Sequence, residues 1–228
     1  MGELSEYSCV AITTIELMAE CEKTVCELIQ QLHVSDRLQR YSAARQLAVF
    51  EDRAKDSIPV LKSWIGSDDR PFHVMALGAI ICIDNSEAKD LLPLLIETAE
   101  CDDDAGQFEA ILILASLREL ALPAVPALKR LLDNESSSIS TSASEALYEL
   151  TGDPTHVIDV GLRLLTHPDW LQRYVGIEHL EYVGREADVA IAQLEWVAIE
   201  DDDKGVRKRA REAVNNIEAH ERQRDPME

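Results

Sequence analysis

A helix crossing that must be tight, repeated at a fixed interval, leaves a chain few ways to fold. Here the requirement recurs six times. Read from Asp36, Asp69, Asp103, Ser136, Asp169 and Asp203, the intervals are 33, 34, 33, 33 and 34 residues. Seven residues past these anchors stand Ala43, Ala76, Ala110, Ala143, Gly176 and Ala210. Eleven past them stand Leu47, Ile80, Leu114, Leu147, Leu180 and Val214, and fourteen past them Phe50, Ile83, Leu117, Leu150, Val183 and Ile217. Steps of four and three place these residues on one stripe of a helix, and a small residue at its centre lets a second helix come close.

That second helix precedes each anchor, in CELIQQL, IPVLKSWI, LLPLLIETA, AVPALKRLL, VIDVGLRLL and AIAQLEWVAI. Pro59, Pro93 and Pro126 each fall ten residues before an anchor, where the first turn of a helix tolerates proline because its missing N–H would be unpaired there. Acidic turns join the two helices, and Asp or Ser at the anchor is suited to cap the second one. Arg40, Arg173 and Arg207 follow four residues later, the spacing of an acid–base pair with the anchor.

The pattern PALxxLL, an acidic turn, an Arg and an ALxxL-like stripe resembles the HEAT repeat. It is similar in particular to the short bacterial HEAT repeats of the phycobilisome-lyase type. VPALKRLLD…SASEALYEL and HPDWLQRYVGIEHLEYVG are also similar to HEAT tails carried by some bacterial sulfatases. The resemblance implies an all-α fold, an α-solenoid of about six HEAT-like hairpins (about 22–54, 55–87, 88–120, 121–152, 153–185 and 186–220) behind an N-terminal capping helix. Residues 1–21, with Ala11, Ile15 and Met18 on one face, are expected to form that cap, and 221–228 a disordered tail. Gly106, Gln107 and Gly161 depart from the pattern.

Composition agrees with helices: 46% of residues are hydrophobic, 5% aromatic and 29% charged. Ala and Leu are abundant, and both enter helices at little cost. The net charge of −21 disfavours nucleic acid and anionic membrane as partners. Five cysteines without CxxC spacing are expected to be reduced, as in a cytoplasmic protein. The acidic start MGELSEY lacks the features of a signal peptide.

Motifs for catalysis are missing: there is no Gly-rich phosphate loop, GxSxG elbow or HExxH helix. Six histidines are scattered among different repeats, and the acid runs 102–104 and 201–203 lack the alternation of a calcium loop. No catalytic residue, cofactor or metal is expected. The basic run KGVRKRAREAV falls in the second helix of the last repeat, where Lys204, Arg207, Lys208 and Arg211 are expected to face water and close the array.

In such arrays the second helices line the binding face. Positions five, nine and twelve past each anchor supply the expected partner-binding residues: Tyr41, Val74, Phe108, Leu112, Tyr148, Tyr174, Glu178 and Glu181. Repeats two and three are apolar nearly all round, and the later ones turn acidic. The function expected is a non-catalytic scaffold or adaptor, monomeric, holding a protein partner that its acidity suits to be basic. The family resemblance implies as an alternative a phycobilin-lyase-like, cofactor-handling factor, and less strongly a HEAT-like DNA-repair protein, against which the neutral and acidic face stands.

Overall fold

The computed structural model describes residues 24–101 and 104–222. The expected capping helix, the end of the tail and the anchor Asp103 lie outside them. Helix α1 covers 24–31. It is followed by α2 (Arg37–Val49), α3 (Ile58–Lys62), α4 (Arg70–Ile83), α5 (Ala88–Ala99) and α6 (Asp104–Ser116). Then come α7 (Val125–Leu131), α8 (Ser137–Thr151), α9 (Thr155–Leu164), α10 (Trp170–Tyr182), α11 (Ile191–Glu200) and α12 (Lys204–Arg222). The fold is all-α and of the α-solenoid class. Helical hairpins follow one another along the chain, and no strand occurs among the described residues. Residue 222 is still helical, so α12 runs into the segment expected to be a tail.

The chain divides into two compact units, Met1–Ile113 and Leu114–Glu228. In unit 1, α4 packs on α2, α3 and α5. In unit 2, α8 packs on α7 and α9, and α10 packs on α9 and α12. The small residues sit at these crossings: Ala43, Ala76, Ala110, Ala143 and Ala210 have no exposed surface. Gly176 shows why the fifth repeat needs two glycines. A Cβ on it would lie 2.8 Å from the Leu164 Cβ and 2.9 Å from the Gly161 carbonyl, and one on Gly161 would lie 2.7 Å from the Leu180 Cγ. The departure at Gly161 is therefore the partner of the glycine at the crossing.

Three anchors cap as expected. The Asp36 carboxylate accepts from the Gln39 amide at 2.9 Å, that of Asp169 from Leu171 at 3.0 Å, and that of Asp203 from Gly205 at 2.6 Å. Asp69 and Ser136 also precede helices, but make no side-chain cap bond. Asp69 is instead held by both arms of Arg37, at 2.9 and 2.7 Å. Proline placement needs one correction. Pro59 and Pro126 lie in the first turns of α3 and α7, but Pro93 is interior to α5. That helix starts at Ala88, directly after a 3₁₀ turn over Asn85–Glu87, so it is already under way when the proline arrives.

The residue four past the anchor also needs correction, because it does not pair with its own anchor. Arg173 donates to the carbonyls of His167 and Pro168 in its own turn, both at 3.0 Å. It then grips Asp201 of the following turn at 2.7 and 2.9 Å and Asp202 at 2.5 Å. Arg207 donates to the carbonyls of Asp201 and Asp202. Arg40 stacks over the Phe72 ring, 4.7 Å from its centroid. His73 accepts the Gly66 N–H at Nδ1, and Gln107 donates to the Ala99 carbonyl. The cause is geometric: helical side chains lean toward the N-terminus, which brings this position to the turn, and a capping anchor's carboxylate already accepts from amides. Gln107 thus does in repeat three part of what Arg does elsewhere.

Past the second helix the backbone turns left-handed at a recurrent place. Fifteen residues after Asp36, Asp103 and Asp169 come Glu51, Arg118 and Gly184, with φ of 50°, 49° and 60°. Only the last of these is the residue type that takes such an angle without cost.

Candidate partner-binding surface

In unit 1 the expected surface residues separate into two groups. Val74 is fully buried, and its neighbours from Phe72 to Ile81 along α4 are all buried. It belongs to the core and is removed from the candidate surface: α4 is apolar all round because it is enclosed all round. Phe108 and Leu112 on α6 remain exposed, at 36% and 43%. Half-buried Tyr41 packs edge-on against Phe72 with ring centroids 6.3 Å apart, and its hydroxyl donates to the Glu109 carboxylate. Burial, reinforced by that carboxylate, raises the Tyr41 phenol above its ordinary pKa.

In unit 2 polar side chains link the second helices. The Tyr148 hydroxyl on α8 donates to Glu186, in the 3₁₀ segment Gly184–Ala190, at 2.9 Å. In the other direction the Tyr182 hydroxyl on α10 donates to Glu149 on α8 at 2.6 Å. The two rings meet edge to face with centroids 5.9 Å apart, and Tyr182 is 47% exposed. Both phenols titrate above their ordinary pKa. For Tyr148 the bond to Glu186 is the main cause; for Tyr182 burial leads and Glu149 follows. Two aromatic faces and two carboxylates are thereby fixed side by side at the surface.

One turn earlier along the same helices, His179 Nδ1 lies 3.0 Å from the Glu145 carboxylate and Nε2 lies 2.7 Å from Ser144 Oγ. The order hydroxyl, imidazole, carboxylate is that of a nucleophile and its base. Ser144, however, is fully buried, and its Oγ is also 2.8 Å from the Thr141 carbonyl. In this packing the hydroxyl has no approach for a substrate, and the trio fastens α8 to α10.

The remaining expected residues are partly engaged within the fold. Glu181 pairs with Arg209 and accepts from the Asn216 amide at 2.6 Å, while Glu178 stays half exposed with its carboxylate 3.8 Å from Arg209. Tyr174 is half-buried against the core of unit 2. Of the basic run, Arg207 and Arg211 donate to backbone carbonyls, Arg209 pairs with the two glutamates, and Lys208 lies 3.6 Å from Glu212. Of the four cations expected to face water, Lys204, Lys208 and Arg211 are exposed and Arg207 is half-buried against its own turn, while Arg211 also ties α12 to α11 through the Ala198 carbonyl.

Sequence inspection missed Glu145, Glu149, His179, Tyr182 and Glu186. Glu149 and Tyr182 both stand thirteen past their anchors, one helical turn beyond Glu145 and Glu178. Continuing the nine-past register by four would have found them. Among the described residues no group of His, Cys, Asp and Glu is placed to hold a metal ion. No helix of the described residues is long and apolar enough to cross a membrane.

No family model and no curated protein matches the chain. Among solved structures, one engineered protein is 22% identical with a TM-score of 0.47, over 86% of this chain and 96% of its own. The complex of CpcE and CpcF of phycocyanin lyase from Nostoc sp. PCC7120 is 20% identical with a TM-score of 0.40, over 82% of this chain and 85% of its own. A second engineered protein is 23% identical with a TM-score of 0.44, over 83% and 57%. Likeness of this degree assigns neither a family nor an activity.

Proposed function

We propose that the protein is a non-catalytic adaptor that holds a basic segment of a partner protein on the α8–α10 face of unit 2. The observation that carries this is the pair of crossed tyrosine–carboxylate bonds, Tyr148 to Glu186 and Tyr182 to Glu149. A Lys or Arg arriving there meets ring faces for cation–π contact and carboxylates already held in place by the phenols. Little conformational entropy is then lost on binding. Glu145 and Glu178 extend the negative field, and the chain's net charge of −21 steers a basic partner toward it.

Fluorescence anisotropy with labelled peptides of varied Lys and Arg content tests the proposal. Binding should weaken roughly tenfold or more in Tyr182→Ala, a loss of the size that aromatic anchors carry, and Glu149→Gln should slow association. Absence of binding to every basic peptide at low ionic strength would refute it.

A further inference from the structure

The sixth hairpin presents a face built on a different plan from its predecessors. In the hairpins before it, positions eight residues before the anchor and eight and eleven after it are core. Leu61, Leu77 and Ile80 of repeat two are fully buried, as are Leu128, Ser144 and Leu147 of repeat four. In repeat five, Ile177 and Leu180 are buried likewise, and so is Leu165, four before the anchor.

In repeat six the same positions are Glu195, Arg211, Val214 and Ile199. Glu195 is exposed, as is Arg211, which gives one guanidinium nitrogen to the Ala198 carbonyl at 2.7 Å and keeps its others free to reach across; Val214 is half-buried, and Ile199 is 69% exposed. These four, with Ala198 and Asn215, line a shallow cavity of about 450 Å³ between α11 and α12. Its rim is charged, by Glu195 and Arg211, around the apolar floor of Ala198, Ile199 and Val214.

We propose that this face of α11 and α12 is a dimer interface that receives the same face of a second copy of the chain about a two-fold axis. A two-fold contact requires a self-complementary patch, and this one carries an acid on α11 and a base on α12 across a common apolar floor. Rotation sets Glu195 opposite the partner's Arg211, and Arg211 opposite the partner's Glu195, with the two Ile199 side chains between them. The rim holds one charge of each sign on a chain of net charge −21. That balance suits an identical surface better than a basic one, and so separates this face from the adaptor surface on α8 and α10.

Sedimentation equilibrium of the full chain at about 0.15 M salt, where the screening length is about 8 Å, tests the assignment. The mass should rise with concentration from 25.5 kDa toward double that value. Ile199→Asp should hold it at the monomer mass with an unchanged circular-dichroism spectrum. Glu195→Arg should weaken the dimer about tenfold or more through like-charge contact, and adding Arg211→Glu should restore it. A monomer at every concentration, a dimer that survives Ile199→Asp, or a charge reversal without rescue would each overturn the proposal. So would a monomer whose Trp196 emission shifts on deletion of residues 223–228, which would assign the face to the chain's own end.

Discussion

Replacing Arg173 by Met tests the idea that repeats are locked through their turns. Met keeps most of the apolar stem in place while removing the guanidinium. Asp201 then loses bonds of 2.7 and 2.9 Å and keeps the Asp203 amide at 2.9 Å. Its side chain is 3% exposed, so the carboxylate is left buried and short of a partner, for which about 3–5 kcal/mol is typical. Water can enter this turn once the guanidinium is gone, which places the expected loss near the lower end, about 3 kcal/mol. The contact to Asp202 adds less than about 1 kcal/mol, since that side chain is 90% exposed. Urea unfolding followed through Trp170 and Trp196 should show a midpoint about 1.5 M lower, for a slope of about 2 kcal/mol per molar.

Acid supplies the control. Hydrogen bonds from Arg173 hold the Asp201 carboxyl below its ordinary pKa. Its contribution is therefore complete above about pH 4, the unfolded value, and is lost as pH falls through the lower folded value. The gap between wild type and variant should narrow below pH 4. A midpoint change under about 0.5 M at pH 7 would class the pair with surface ion pairs and refute the locking argument.

Three further outcomes follow from His73, from the glycines at the fifth crossing and from the left-handed Arg118. Burial, with Arg70 nearby, lowers the His73 pKa, and its Nδ1 must be unprotonated to accept the Gly66 N–H. Stability is therefore full above about pH 6.5 and lost as pH falls toward the folded value; urea midpoints at pH 7.5 and 5 should differ in wild type and much less in His73→Asn. Gly176→Ala should destabilise by about 1–3 kcal/mol, since the Gly161 carbonyl cannot yield to the new methyl, and Gly161→Ala by a comparable amount, since it meets the branch carbon of the fully buried Leu180 at 2.7 Å. Arg118→Gly should raise the melting temperature by about 2–4 °C, relieving about 1 kcal/mol at a φ of 49°.

Much of the fold was legible because its signal is a packing requirement repeated in phase. The alanines past each anchor predicted crossings that the structure fills with no exposed surface. Arg173 was legible as a recurring residue but not as a link to Asp201, because its partner belongs to the next turn and spacing within one helix cannot show it. Val74 was misjudged because an apolar stripe does not reveal how many neighbours enclose it. Glu149 and Tyr182 were hidden for the converse reason. They share a repeat position, thirteen past the anchor, but differ in chemistry, and they become a surface only when α8 and α10 bring them to hydrogen-bonding distance.

The adaptor surface is tested most directly by residue-resolved NMR titration of the full chain with an Arg- and Lys-rich peptide. Amide shifts should concentrate at Glu145, Tyr148, Glu149, Tyr182 and Glu186, and should vanish in Tyr182→Ala while that variant keeps its helical spectrum. Shifts spread evenly over the acidic surface, or an unaltered titration in Tyr182→Ala, would contradict the account.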